Sequence, residues 1–282
     1  MATPGLSLVG FLDQQPATDY LGNICIPNNA DPAALLAEWQ AAQAQLGAAI
    51  PNAGQSTITA VPAANQAYAQ ALQAQPPIAQ FLHQGGWEIR LADIDTLLAF
   101  QFHVDVARSD SLAAGLPTNP ALADAFPLCL PIAPPAAPQM MVYAHNPDLQ
   151  RNQSLVIKSS DVNVRVMDRG LFGQYAGIAL GLGSPFVHVE RFNGRTYLHN
   201  GFHRAYALRS RGLMQIPCFY REVMNFNEVA EGPPATFSQA LLESANPPAF
   251  GHFAQNRAYP VTMRRRSRNI HISWADYVIP DE

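Results

Sequence analysis

The chain has 282 residues, 48% of them apolar and only 13% charged, with a formal net charge of −4. That is enough apolar material for one large core or two ordinary ones, and the negative balance argues against a general nucleic-acid binder. No apolar run approaches the ~18 residues of a membrane-spanning helix, and the first residues lack the cationic and apolar pattern of a signal peptide. The three cysteines, Cys25, Cys129 and Cys218, are far apart with no CxxC pair. They argue against a disulfide framework or a thiolate zinc site, and a cytoplasmic location is expected.

The charge is unevenly spread. Residues 1–144 hold 2 arginines against 10 acids, residues 145–225 hold 10 basic residues against 5 acids, and the rest holds 5 against 6. Lys158 is the only lysine, so the cations are almost all arginine, which pairs bidentately with phosphate or carboxylate. The competing explanation is an ordinary solvated arginine-rich face.

Residues 1–30 show no clear period and are expected to be irregular. Asp31-Pro32 is a helix start, an N-cap acid followed by proline at the first helical position. Leu35, Leu36, Trp39, Gln43 and Leu46 follow at helical spacing, and Gly47 ends the run. A second helix is expected at 63–75, with a third short one carrying Ile78, Phe81 and Leu82. Trp87, Ile89 and Leu91 alternate as in a strand. Residues 93–102 return to helical spacing through Ile94, Leu97, Leu98 and Gln101.

Prolines 117, 120, 127, 131, 134, 135 and 138 mark residues 113–138 as an expected linker or a long connection that hugs the surface. Strands are expected at 155–157 and 162–166. Leu171, Phe172, Tyr175, Ile178, Ala179 and Leu182 then read as one face of a helix. After them comes the most informative stretch, 186–220. Asn193-Gly194 marks a hairpin, Asn200-Gly201 leads into His203-Arg204 and a helix over 202–211, and an apolar strand occupies 216–220. A helix around 238–244, an arginine-rich run at 264–268 and a strand-like 270–279 complete the chain.

The expected fold class is therefore α+β: a small mixed sheet with helices, preceded by a mostly α-helical N-terminal region. Four regions follow: helical 1–112, the connection 113–138, a core at 139–225, and an extension at 226–282 packing on that core.

A two-residue loop at Asn193-Gly194 would set Val189 opposite Leu198, Val187 opposite Asn200, His188 opposite His199, and Glu190 opposite Tyr197. His188 and His199 beside a carboxylate are candidates for a divalent metal or a proton relay. The alternative is a pair of half-exposed polar residues, and a one-residue register change would part them. His103 with Asp105, and Asp93 with Asp95, are weaker acid–base or metal candidates lacking a third ligand. Cys218 reads as a core thiol.

The order strand, helix, hairpin, N-G-x-H-R, helix, glycine, strand resembles the ParB/sulfiredoxin superfamily. There a hairpin ending in a "DGxHR" or "GERR" box precedes a helix and a strand opening "(I/V)P". Here the matching residues are Asn200-Gly201-Phe202-His203-Arg204, then Gly212, then Ile216-Pro217. The likeness covers about 155–223. It implies a nucleotide-binding protein, with the phosphates of ATP or CTP, and Mg2+, near Asn200, Gly201, His203 and Arg204; Arg165 is a further candidate. A glycine turn at a helix start suits an anion on physical grounds as well. Phe202 replaces the reactive cysteine of sulfiredoxins, so sulfinic-acid reduction is not expected. Asn200 stands where relatives of the "DGxHR" type have an acid, and no helix-turn-helix follows. Three readings stay open: a nucleotide binder with hydrolysis, a non-enzymatic protein-interaction module with a degenerate site, and a metal-dependent nuclease.

Overall fold

The computed structural model describes residues 2–26, 31–133, 140–148, 152–159, 164–172, 175–182, 184–230, 237–264 and 268–274. Helices and mixed sheets make an α+β protein. In chain order the elements are β1 (Ala2–Ser7), α1 (Gln14–Ile24), α2 (Pro32–Leu46), β2 (Ile58–Thr59), α3 (Gln66–Gln73), α4 (Pro76–Gly85), β3 (Glu88–Asp93), β4 (Leu98–Ala99), β5 (His103–Asp105), α5 (Val106–Ala113) and α6 (Leu122–Cys129). There follow β6 (Met140–Asp148), β7 (Asn152–Ser159), β8 (Val164–Phe172), β9 (Tyr175–Leu182), β10 (His188–Phe192), β11 (Arg195–Asn200), α7 (Phe202–Ser210), β12 (Gln215–Glu222), α8 (Phe226–Ala230), α9 (Gln239–Leu242), α10 (Gly251–Ala254), β13 (Tyr259–Arg264) and β14 (Arg268–Trp274).

The chain forms two compact units, one from residues 1–134 and 185–264, the other from 135–184 and 265–282. The expected divisions at 112, 138 and 225 do not coincide with them. The helical N-terminal region and the hairpin belong to one unit, into which residues 135–184 are inserted.

In the first unit a six-stranded mixed sheet runs β2-β3-β12-β10-β11-β4, and a three-stranded sheet runs β13-β1-β5. The core is built on the large sheet: Ile89, Leu91, Val189, Leu198, Ile216, Cys218 and Phe219 are buried, as are Leu208 of α7 and Phe126 of α6. Several local readings hold. The Asp31 carboxylate accepts from Ala33 N–H at 3.0 Å and caps α2, while Gly47 closes it at φ 65°. Asn193 (φ 49°) and Gly194 (φ 75°) close the β10–β11 hairpin with the positive φ pair such turns require.

Other readings are corrected. Residues 1–30 are not irregular throughout: β1 is the central strand of its sheet and α1 follows it. Residues 93–102 are not a helix. The Asp93 side chain accepts from Asp95 N–H at 3.3 Å, the local bond by which Asp competes with helical hydrogen bonds, and the apolar run Leu97 to Phe100 is buried on all sides through β4 and its flanks. The connection at 113–138 contains α6, whose Ala125, Phe126 and Cys129 are in the core. Asp124 accepts from Ala121 N–H at 2.8 Å to start that helix despite Pro127.

The second unit comprises a three-stranded sheet, β14-β7-β6, and the antiparallel pair β8-β9. The helix expected over 171–182 is therefore not formed: Leu171 and Phe172 end β8, and Tyr175–Leu182 is β9. Gly177 and Gly181 fall inside it, opposite Gly170 and Arg165, and each glycine costs a helix roughly 1 kcal/mol relative to alanine. Cross-strand neighbours Phe172 and Tyr175 suit the pleat instead. In the first unit the helix preceding the hairpin is α6, joined to it by a bond from Val187 N–H to Cys129 C=O of 3.0 Å.

Candidate functional site

Helix α7 starts where β11 ends. Gly201 is its N-cap at φ 107°, and a Cβ there would lie 2.7 Å from Val187 Cγ2. Backbone conformation and packing both demand glycine, so the box glycine fixes how α7 leaves the sheet. Asn200 donates from Nδ2 to the Phe186 carbonyl at 2.8 Å, tying that departure to the start of the hairpin. The first N–H groups of α7 face outward from the helix end with no intrahelical acceptor, as at any helix start.

His203 and Arg204 follow, and they differ in role. His203 Nε2 accepts the Asp105 N–H at 3.2 Å, which puts the ring proton on Nδ1. Burial lowers its pKa to about 3, and Arg108, His103 and Arg204 push the same way. His203 is neutral at physiological pH, so the expected cationic pair supplies one charge, not two. That charge is Arg204. It is half-buried, and among the described residues its guanidinium makes no ion pair and no hydrogen bond. Burial lowers its pKa; the nearby Cys129 acts in the opposite direction and Arg108 adds to the lowering. Cys129 is itself buried, its thiol pushed up to about 12, so it is present as the neutral thiol and neutralises nothing.

Arg108 was not singled out in the sequence. It lies in the first turn of α5, exposed, and its backbone N–H is capped by the Asp105 carboxylate at 3.0 Å. Helices α5 and α7 pack together. His103 and Asp105 thus do belong near the site, Asp105 as a cap and a holder of His203. The only sequence signal for Arg108 was its isolation, one of two arginines in an acidic 144-residue stretch.

Arg165 lies on β8 opposite Gly181, in the second unit, and its side chain falls outside the described residues, as does the 265–267 part of the arginine run.

His188 and His199 are not cross-strand partners. A bulge between His188 and Val189 pairs His188 with Asn200 and leaves His199 as the extra residue, while Val189–Leu198 and Glu190–Tyr197 pair as expected. The two rings still lie face to face, centroids 6.2 Å apart. His188 is enclosed by Trp87, Phe81 and Phe219, and burial lowers its pKa to about 3, with the proximity of His199 contributing. Among the described residues no three His, Cys, Asp or Glu side chains are arranged to hold a metal ion.

Beside them Glu190, only 1% exposed, accepts from Arg221 Nε at 2.9 Å and from its terminal nitrogen at 2.7 Å. His199 Nδ1 donates to the Val229 carbonyl at 2.9 Å and lies 3.1 Å from the other carboxylate oxygen, which is buried and has no hydrogen-bond partner among the described residues. Burial pushes the Glu190 pKa up, but His199 and Arg221 outweigh it and hold the carboxyl below its usual range. Arg221 also rests on the Trp87 ring, 4.4 Å from its centroid.

The chain matches no protein-family model, no curated protein and no solved structure. No helix among the described residues is long and apolar enough to cross a membrane.

Proposed function

We propose that this is a cytoplasmic anion-binding protein whose ligand is a phosphate-bearing molecule, a nucleotide such as ATP or CTP, seated at the start of α7. The observation that carries the reading is Arg204. A guanidinium taken partly out of water without a counter-charge is unfavourable by itself, and a bound dianion would supply both the charge and the acceptors. Arg108 brings a second cation close enough to act on Arg204, and a helix start carries the positive end of the helix dipole. The likeness of Asn200 to Arg204 to the ParB/sulfiredoxin box adds to this, as does the hairpin–helix–strand order of β10, β11, α7 and β12 around it. Buried free cysteines suit a reducing compartment.

Titration calorimetry with ATP, CTP, GTP and inorganic phosphate, with and without Mg2+, tests the proposal. Wild type binds at least one of these, and Arg204→Met weakens that binding at least tenfold. The same variant leaves the melting temperature of the free protein unchanged or raises it, because it removes an uncompensated charge. Equal binding by Arg204→Met, or none by wild type, removes the basis of the reading.

A further inference from the structure

Helices α5 and α7 run side by side in the same direction. At one end the N–H of Asp105, the N-cap of α5, donates to Nε2 of His203 in the first turn of α7. At the other end Arg211, just past α7, donates to the carbonyl of Ala113, the last residue of α5, at 3.2 Å. Both helix starts therefore lie together, and packed helices stand about 8–10 Å apart. Arg108 is the third residue of α5 and Arg204 the third of α7, so the arginines hold equivalent places in adjacent first turns.

This placement works against both helices. A helix start carries about half a positive charge, which favours an acid in the first turn and disfavours a cation. Neither first turn contains an acid. Among the described residues neither guanidinium makes an ion pair or a hydrogen bond. The Asp105 carboxylate sits at the start of α5, where it accepts the Arg108 backbone N–H at 3.0 Å. Two guanidiniums and two helix ends of about half a charge each, set against that carboxylate, leave about +2. His203 adds nothing to the sum, because burial lowers its pKa to about 3 and keeps it neutral.

A monoanion would compensate only half of that excess. A phosphomonoester, or the terminal phosphate of a nucleotide, carries about −1.5 to −2 at neutral pH, whereas a phosphodiester carries a single charge. The two arginines also differ in depth. Arg204 is half-buried and Arg108 exposed. Arg204, partly out of water, attracts any anion; Arg108, in water, adds an attraction that grows with the charge the ligand brings.

We infer that the anion site selects a dianionic phosphate, a phosphomonoester or the terminal phosphate of a nucleotide, over a phosphodiester, and that Arg108 sets this selectivity. The inference rests on the anion-site reading and names the ligand class of that site. A nucleic-acid backbone is made of diesters, so the same charge balance disfavours it as the ligand.

Calorimetry on the full chain with 5′-AMP and 3′,5′-cyclic AMP tests the selectivity, because the two share base and sugar and differ in the charge of the phosphate. Wild type should bind 5′-AMP at least tenfold more tightly. Arg108→Met should weaken 5′-AMP binding about five- to tenfold and cyclic AMP binding less than threefold, so that the preference nearly vanishes. Arg204→Met should weaken both. The free Arg108→Met protein should melt at or above the wild-type temperature, since a cation leaves a helix start; a clear fall would mean that Arg108 is already engaged within the protein, and overturns its role. Equal, Arg204-dependent binding of the two ligands, or a preference unchanged in Arg108→Met, overturns the selectivity and leaves the anion site standing. Arg204-dependent binding of ATP or CTP with none of either mononucleotide does the same. Absence of Arg204-dependent binding of any of these ligands overturns the anion site itself.

Discussion

Replacing Gly201 by alanine probes how tightly the candidate site is tied to the sheet. Two costs add. At φ 107° an L side chain is strained by about 1–2 kcal/mol. The new methyl would also meet Val187 at 2.7, 3.2 and 3.2 Å from three of its carbons, and overpacking of that kind costs about 1–3 kcal/mol. Gly201→Ala should therefore destabilise by about 2–5 kcal/mol. Gly194→Ala is the internal control: its φ is 75°, but nothing lies within 4 Å of the added carbon, so only the backbone cost of about 1–2 kcal/mol applies. Urea denaturation of both, and of Gly201→Ala combined with Val187→Ala, separates the terms. The double variant should show favourable coupling, because truncating Val187 clears the space that the new methyl needs. If Gly201→Ala costs no more than Gly194→Ala, the claim that Val187 sets the exit of α7 is wrong.

Two further outcomes follow from buried charge and buried histidines. Arg221→Met leaves the 1%-exposed Glu190 carboxylate without its main partner and should destabilise by about 3–5 kcal/mol, whereas Arg221→Met with Glu190→Leu should recover most of that; thermal melts check both. His188 and His203 have folded pKa values of about 3 against an ordinary 6.5, so between those limits the unfolded chain binds the extra protons. Stability is unaffected above pH 6.5 and falls as pH drops below it. Each histidine costs about 2 kcal/mol at pH 5, at roughly 1.4 kcal/mol per pH unit. His188→Phe should flatten the pH dependence of the denaturation midpoint; an unchanged slope would mean that His188 is not held neutral.

What the sequence made legible was what local chemistry decides. Asn193-Gly194 carries its own φ requirement, Asp31-Pro32 its own cap, and Gly201 its own turn. Distant contacts were not legible. His203 is held by the backbone of Asp105, 98 residues away, and Arg108 joins Arg204 through the packing of α5 on α7. Counting charge by segment assigned the cationic site to 145–225, yet one of its two arginines comes from the acidic half. The bulge at His188 shows the sharpest limit, since one extra residue pairs His188 with Asn200 instead of His199 and nothing in an alternating sequence announces it. The helix expected at 171–182 failed for the opposite reason. Apolar spacing fitted it, but glycines every few residues removed the helical preference and left the strand.

Strand β1 has its own consequence for how the molecule is made. It lies between β5 and β13 and pairs along its whole length with the latter, from Ala2 against Arg264 to Ser7 against Tyr259. During synthesis β1 leaves the ribosome while its partner is still some 250 residues from being made. Closing so long a loop adds little free energy, since the entropy grows only logarithmically with length, but it makes this pairing a late step. Until then one full edge of β1 waits unpaired. The nascent chain must shield that edge until β13 has been made.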